Sequence, residues 1–383
     1  MKVLMISDVY FPRINGVSAS IETFRRDLKT YGFETLLVAP AYDGRIESDE
    51  TIIRIPSRYL PLDPEDRLMK LAPVRDLIAR LRGEAIDLVH IQTPFVAHYA
   101  GIEFSDILQV PRIETYHTFF EEYLFHYAPF VPRRLMRALA RRFSRRQCNE
   151  LDALIVPSTA MHEVLAEYGV TRPIHVQPTG IPLDRFKGGD GMAFRREHGI
   201  LPDRPTVLYV GRVAFEKNIQ FLLRASALAV RSIPDLLFVL TGEGPALNAL
   251  KRLANELGMD SNVRFLGYLD RSNALLDCYR AADAFVFASR TETQGLVLLE
   301  AMACGVPVIA IPAMGTRDIL AAGRGASVSE DNEADFAAKI VQLMADGALR
   351  TRLRIDALSY VQEWCASTMA QRLGRLYRKI ALG

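Results

Sequence analysis

Thr291-Glu292-Thr293-Gln294-Gly295-Leu296-Val297-Leu298-Leu299-Glu300-Ala301-Met302-Ala303-Cys304-Gly305-Val306-Pro307 follows the apolar run Ala284-Phe285-Val286-Phe287-Ala288. So short and unbroken an apolar run reads as a strand of a parallel sheet buried on both faces. Ser289 to Gln294 then occupy the loop at the carboxyl end of that strand, where open α/β sheets bind their ligands. The helix predicted to begin near Gly295 is apolar nearly all round from Leu296 to Ala303, so it is expected to be buried, yet it carries Glu300 in its interior. A lone carboxylate in such a place is costly unless it has partners. Either a protein cation or amide satisfies Glu300, or a pair of ligand hydroxyls does. Glu292 lies at the same end of the sheet. Gly295 leaves room for a ligand against the helix N-terminus, whose unpaired N–H groups favour anions.

Glu292 and Glu300, separated by seven residues and followed by Ala301-Met302-Ala303-Cys304-Gly305-Val306-Pro307-Val308, resemble the signature of the retaining glycosyltransferases of glycosyltransferase family 4. The resemblance implies the GT-B architecture, two doubly wound Rossmann-like domains facing a cleft. It implies that Glu300 accepts hydrogen bonds from the ribose of a nucleotide diphosphate sugar and that Glu292 contacts the transferred sugar. Gly295 and Leu296 would lie against the donor.

Composition agrees with a soluble globular protein. The chain has 383 residues, 49% hydrophobic and 24% charged, enough for two domains with their own cores. A formal net charge of +2 gives no argument for nucleic acid as a partner. Cys148, Cys278, Cys304 and Cys365 form no C-x-x-C pair, so neither zinc nor redox chemistry is suggested and reduced thiols in the cytoplasm are expected. No export signal and no membrane-spanning run is expected.

Around the signature, apolar runs alternate with helical patterns. Lys2–Ser7 is followed by a turn and an amphipathic helix from about Ser18 to Tyr31; further runs are Thr35–Ala39, Ile52–Ile55, Leu88–Ile91, Arg112–Tyr116, Ala153–Pro157 and Ile174–Gln177. Strands alternating with helices predict a parallel sheet covered on both faces. From Leu183 to Pro205 the sequence turns to Gly, Pro and charge, and reads as a surface connection. Alternation restarts at Thr206–Gly211 and continues through Leu236–Thr241, Asn262–Gly267, Asp283–Ala288 and Pro307–Ile311. The expected domains are residues 1–182, an acceptor-side domain, and 183–365, a nucleotide-sugar domain. By the resemblance, a terminal helix at 366–383 returns to the first of them.

Other strand ends carry further candidates. Val210-Gly211 delivers Arg212, Glu216 and Lys217 to the same edge as Glu292. Preplaced cations stabilise the charge that grows on a departing diphosphate. Solvated cations at a strand end are the structural alternative, and Gly211 to Asn218 resembles the family's phosphate-binding segment. No Asp-x-Asp and no ligand-spaced His, Asp and Cys cluster occurs, so neither a metal nor any other cofactor is expected beside the donor. Phe265-Leu266-Gly267-Tyr268 reads as loop closure, and by resemblance brackets the nucleobase through its backbone. Asn15-Gly16-Val17 reads as a turn, and resembles the glycine loop covering the donor diphosphate. His117, at the end of the run Arg112–Tyr116, matches the family's cleft histidine, implied to lie near the sugar's C6 hydroxyl and the reaction centre. The alternative is a histidine bonded to a nearby carbonyl.

The wording at 15–21 and 115–123 resembles the branch that glucosylates diacylglycerol. From Pro132 to Asn149 a helix is predicted with Arg133, Arg134, Arg137, Arg141 and Arg145 opposite an apolar stripe of Leu135, Met136, Leu139, Ala140 and Phe143, and with Arg142 and Arg146 near its edge. A cationic amphipathic helix suits an anionic bilayer, and the same stripe is also expected to pack on the core. Tyr59 to Pro64, ahead of a helix with Arg67 and Lys70, is a second acceptor-side candidate or a surface loop. The expectation is a cytoplasmic, peripheral-membrane, metal-independent retaining hexosyltransferase. It would move a hexose, UDP-glucose being the expected donor, to a glycerolipid hydroxyl. A soluble or polysaccharide acceptor, a nucleotide-sugar epimerase and a non-enzymatic nucleotide-sugar sensor are the alternatives.

Overall fold

The alternation of strand and helix resolves into two α/β units in a computed structural model that describes residues 1–42, 49–60, 63–117, 133–270 and 273–382. One unit takes Met1–Gly180 and Ala366–Gly383, the other Ile181–Cys365. Both are the doubly wound folds that the alternation predicts.

In the first unit the strands are β1 (Lys2–Ile6), β2 (Glu34–Pro40), β3 (Ile52–Ile55), β4 (Ser57–Leu60), β5 (Asp63–Met69), β6 (Leu88–Ile91), β7 (Arg112–Thr115), β8 (Ala153–Val156) and β9 (Ile174–Val176). Seven pair in parallel in the order β3-β2-β1-β6-β7-β8-β9. The connections run outward on either side of β1, so the β1–β6 junction is the switch point beside which ligands bind in such sheets. The helices are α1 (Gly16–Leu28), α2 (Leu71–Arg75), α3 (Ile78–Leu81), α4 (Val96–Leu108), α5 (Arg133–Asn149) and α6 (Thr159–Glu167). Asn15 caps α1 by accepting from the Ser18 N–H.

The second acceptor-side segment departs from its reading as a loop before a helix. β4 and β5 form an antiparallel hairpin, and Arg67 lies on β5, buried. Its guanidinium lies 4.0 Å from the Tyr59 ring centre and 5.1 Å from that of Tyr42. Two aromatic faces and the Tyr59 hydroxyl give this arginine a buried position that a helix surface would not. Pro61 and Leu62 lie outside the described residues.

The second unit runs α7 (Gly191–Glu197), β10 (Thr206–Val210), α8 (Ile219–Val230), β11 (Leu237–Thr241), α9 (Leu247–Glu256), β12 (Val263–Gly267), α10 (Ala274–Ala281), β13 (Ala284–Phe287), α11 (Leu296–Ala303), β14 (Val308–Ala310), α12 (Thr316–Leu320), β15 (Ala326–Val328), α13 (Glu333–Ala345) and α14 (Gly347–Tyr360). Its sheet is parallel throughout, in the order β12-β11-β10-β13-β14-β15, with the switch point between β10 and β13.

The stretch 183–205 is not a surface connection. It contains α7, capped by Asp190 accepting from the Ala193 N–H, and buries Phe194 and Ile200 in the core of the second unit. Arg195, 5% exposed, donates to the carbonyls of Ala281, Leu201 and Arg204 and pairs with Asp283 at 3.1 Å. Gly191 is where α7 meets α10: a Cβ there would stand 2.3 Å from the carbonyl oxygen of Arg280. Of the glycines taken for linker composition, Gly189 and Gly191 are close-packing residues, while a Cβ at Gly188 or Gly199 would meet open space.

The helix α15 (Ala366–Ala381) belongs to the first unit and packs on α1. A Cβ at Gly374 would meet the Phe33 ring at 2.6 Å, and the Tyr377 hydroxyl reaches His90 Nδ1 at 2.6 Å. Ahead of it, Trp364 ends a short turn and packs edge-on to Tyr360.

Candidate functional site

In the second unit the exits of β10, β11 and β13 are fixed by backbone packing. Gly211 has φ +153°, and a Cβ on Gly242 would fall 1.9 Å from the Gly211 carbonyl oxygen, so only glycine fits where the two strand exits touch. Beyond Gly211 the chain presents Arg212, half exposed, with Nη1 3.6 Å from Glu216. Lys217 follows, and its Nζ donates to Glu292 Oε1 at 2.6 Å. Asn218 explains the meeting. It takes the left-handed conformation before α8 and donates from its side chain to the Ala288 carbonyl at 3.1 Å, tying the loop after β10 to the loop after β13. Glu292 is held from the other side, where its carbonyl accepts from the Gly315 N–H at 2.9 Å. Gly315 has no space for a Cβ, which would lie 2.0 Å from the Thr293 carbonyl oxygen.

Gly295, at φ +92°, turns the chain into α11, and Leu296 is that helix's first residue, with an N–H that no helical carbonyl can reach. Within α11 Glu300 is 8% exposed and accepts from the Tyr279 hydroxyl at 3.0 Å, a partner the sequence did not suggest. Arg212, Lys217, Glu292, Gly295, Leu296 and Glu300 thus all sit at the carboxyl end of one sheet, around its switch point. Tyr268 follows β12 and is exposed. The Gly267 carbonyl before it already accepts from the Gly242 N–H and the Thr241 hydroxyl, which occupies both lone pairs of that oxygen.

In the first unit Gly16 opens α1, where a Cβ would meet open space. His117 follows β7 at the carboxyl edge, and its Nε2 lies 3.0 Å from Gln92 Oε1. Burial pushes the imidazole down to about 4, so the ring is neutral at pH 7. With Nε2–H donating to Gln92, Nδ1 is left as an acceptor. Beneath it lies His90, whose ring nitrogens meet the hydroxyls of Tyr377 and Thr115 at 2.6 and 2.7 Å. Burial, and then the charge of His117, hold His90 at about 3. Gln92 and Asp8 escaped the sequence reading. Asp8 follows β1 and accepts from Thr93 and the Ala97 N–H at the start of α4, and burial pushes its carboxyl up to about 7. Their signal was position alone, one residue past an apolar run.

The α5 stripe does not pack as predicted. Met136 and Ala140 face inward with Ser144, Gln147 and Cys148, while Leu135, Leu139 and Phe143 are exposed. Hydrogen bonds set this orientation: Ser144 to the Tyr116 hydroxyl at 2.8 Å, and Gln147 to the Pro94 carbonyl at 2.8 Å. Below, buried His98 bridges Glu114 at 2.6 Å and Glu150 at 3.3 Å, and Arg146 pairs with Glu150. Arg134, Arg137, Arg141 and Arg145 are exposed, with Arg141 5.3 Å from the Tyr168 ring centre. The Arg133 side chain and residues 118–123 lie outside the described residues. Among the described residues no group of three His, Cys, Asp or Glu side chains is arranged to hold a metal ion.

The description Glycosyltransferase Family 4 matches residues 14–185, and Glycosyl transferases group 1 matches residues 192–359. An alpha-monoglucosyldiacylglycerol synthase of Streptococcus pneumoniae is 34% identical over 81% of this chain and 71% of its own. A GDP-mannose-dependent alpha-mannosyltransferase of Mycolicibacterium smegmatis is 31% identical over 84% of this chain and 82% of its own. Among solved structures, sucrose-phosphate synthase from Thermosynechococcus elongatus superposes with a TM-score of 0.79 at 22% identity, covering 99% of this chain and 98% of that one. Anabaena HepE, solved in complex with UDP, gives 0.78 at 17% identity, covering 99% of this chain and all of that one. These two share the fold. The two sheets, the residues gathered at their carboxyl edges and the matches over both units lead to one conclusion: the chain belongs to glycosyltransferase family 4 and has the GT-B architecture.

Proposed function

We propose that this glycosyltransferase is a retaining, metal-independent hexosyltransferase that moves glucose from UDP-glucose to a glycerolipid hydroxyl such as that of diacylglycerol. The observation that carries the reading is the Lys217–Glu292 pair beside Arg212 at the switch point of the second sheet. A departing nucleoside diphosphate gathers negative charge, and Arg212 and Lys217 supply cations for it, the one a planar fork and the other a point charge. Glu292, tethered to Lys217, accepts from hydroxyls of the transferred sugar, and Glu300 accepts from the ribose. Gly295 and Leu296 offer the diphosphate the amino end of α11. Neutral His117, with Nδ1 as acceptor, takes a hydrogen bond from the sugar near C6. Gly16 leaves open space before α1 for the diphosphate to approach the backbone. Retention then follows from attack on the face that the diphosphate leaves, with no protein nucleophile and no bound cofactor.

The lipid acceptor is supported by the names of two relatives, the monoglucosyldiacylglycerol synthases of Streptococcus pneumoniae and Acholeplasma laidlawii. It is supported also by α5, where exposed Leu135, Leu139 and Phe143 lie beside a run of arginines that suits an anionic headgroup layer. No helix among the described residues is long and apolar enough to cross a membrane. Peripheral binding at the cytoplasmic face fits both observations. The mannosyltransferase relative supports a second reading, in which the donor is GDP-mannose.

The test is transfer from radiolabelled UDP-glucose or GDP-mannose to diacylglycerol in vesicles, with and without anionic phospholipid and with and without EDTA. The expected product is an α-linked glucosyl lipid, formed faster on anionic vesicles and at the same rate in EDTA. A β-linked product, or transfer to soluble sugars alone, refutes the reading.

A further inference from the structure

Arg212 and Glu300 are connected by a row of buried rings. Tyr209 of β10 stacks on Phe287 of β13, with centroids 6.1 Å apart and planes 9° apart, and Phe287 stacks on Phe285 at 6.1 Å and 19°. Phe285 in turn meets Tyr279 of α10 at 5.9 Å. None of the four rings is more than 1% exposed. The two middle members carry no polar atom, while the two end members are tyrosines whose hydroxyls each engage a residue of the candidate site. Tyr209 donates to the Arg212 carbonyl at 3.2 Å, passing beneath Gly211, whose added Cβ would stand 3.0 Å from the hydroxyl. Tyr279 donates to Glu300 Oε2 at 3.0 Å. Packing alone does not call for these hydroxyls, because burying one incurs a desolvation cost that phenylalanine avoids. Each hydroxyl is kept where it can hold a neighbour.

We propose that Tyr279 and Tyr209 are positioning residues for the nucleotide. Tyr279 holds one oxygen of Glu300 so that the carboxylate meets the ribose hydroxyls in a single orientation. Tyr209 pins the turn that carries Arg212 to the diphosphate. This rests on Glu300 being the ribose acceptor. A hydrogen bond from a phenol to a carboxylate is charge-assisted, and it removes freedom that the glutamate side chain otherwise surrenders on binding. The rings between the tyrosines set the two hydroxyls at a fixed separation, so the ribose and diphosphate contacts keep one spacing.

The experiment measures affinity for UDP and for 2′,3′-dideoxy-UDP by calorimetry in the full chain, the guanosine pair being used if GDP-mannose proves the donor. Wild type is expected to prefer the ribose form. Tyr279→Phe should weaken UDP about tenfold, leave the dideoxy form unchanged, and raise KM with kcat within about twofold. A merely structural role would weaken both nucleotides alike. Tyr209→Phe should weaken both nucleotides equally while leaving uridine unaffected. In a Glu300→Ala background Tyr279→Phe should cost nothing further. If Tyr279→Phe does not fold, 3-fluorotyrosine at position 279, which keeps the ring and makes its hydroxyl a stronger donor, is expected to change the affinity for UDP and to leave that for the dideoxy form unchanged; a change in both alike, or in neither, overturns the proposal. Should Glu300→Ala alone keep the wild-type preference for ribose, the reading of Glu300 falls and the proposal with it. Should Glu300→Ala lose the preference while folded Tyr279→Phe keeps it, the proposal is overturned and the reading of Glu300 stands.

Discussion

Alanine replacement of Lys217, of Glu292 and of both together tests whether the pair is one functional unit. Their charged atoms lie 2.6 Å apart and the side chains are 20% and 23% exposed. Exposed pairs couple by ~0.2–1 kcal/mol, whereas breaking a buried pair costs ~3–5 kcal/mol. Burial between those limits sets the coupling in folding stability at about 1–2 kcal/mol. In a protein of two such units that is a shift of several degrees in Tm. On turnover, loss of a charge preplaced for the leaving group or the sugar costs on the order of a hundredfold, which is about 2.7 kcal/mol. If both residues serve one bound donor, the double variant falls by much less than the ten-thousandfold product of the singles. Single-turnover glucosyl transfer and urea unfolding of the four proteins close the cycle. Independent effects in both measurements, with a ten-thousandfold loss in the double variant, would show that the pair is not a unit.

The buried His98 predicts a pH signature. Burial lowers its pKa, but the hydrogen bonds and charges of Glu114 and Glu150 raise it further, and the net shift is above the usual 6.5. Arg146 pairs with Glu150, Arg112 donates to the Glu150 carbonyl, the Tyr99 ring packs edge-on to the imidazole, and Asp8, Tyr116 and Cys148 lie near Glu114. A raised folded value stabilises the fold fully below 6.5, and the contribution fades as pH rises through that value. His98→Leu should therefore lower the urea midpoint more at pH 5.5 than at pH 9; an equal loss at both refutes the imidazolium bridge. Gly315→Ala drives a Cβ into the Thr293 carbonyl and should displace the Glu292 loop. The expected cost is about 1–3 kcal/mol in stability, with transfer reduced at least tenfold in protein that remains folded, and unchanged transfer argues against a placed loop.

Much of the fold was legible because a parallel strand buried on both faces must be apolar throughout. Val207 to Val210 and Ala284 to Phe287 announce themselves in that way. β15 did not, since Ala326–Val328 is three residues long with a serine at its centre. The stretch around α7 was misread because glycine marks both linkers and tight helix crossings, and only the position of Arg280 tells them apart. On α5, periodicity located the helix but not its roll, which Ser144 and Gln147 set through hydrogen bonds to groups distant in sequence. Glu292 and Glu300 were visible as carboxylates out of place in apolar text. Lys217 was placed at the same edge as Glu292, but its pairing with that carboxylate was not, nor was Tyr279 as the partner of Glu300, because both contacts are made across separate strands and helices.

The first unit draws α15 from beyond the whole of the second, and this has a consequence during synthesis. Residues 181–365 separate Gly180 from the helix that covers Phe33 and reaches His90 through Tyr377. At ~5–20 residues per second a ribosome needs on the order of ten to forty seconds for that insertion. Throughout that interval the nascent first unit holds an open seam along α1, with the Phe33 ring and the His90 imidazole, lacking its Tyr377 partner, facing water or a chaperone. A stop codon at position 366 would leave the second unit whole and damage the first.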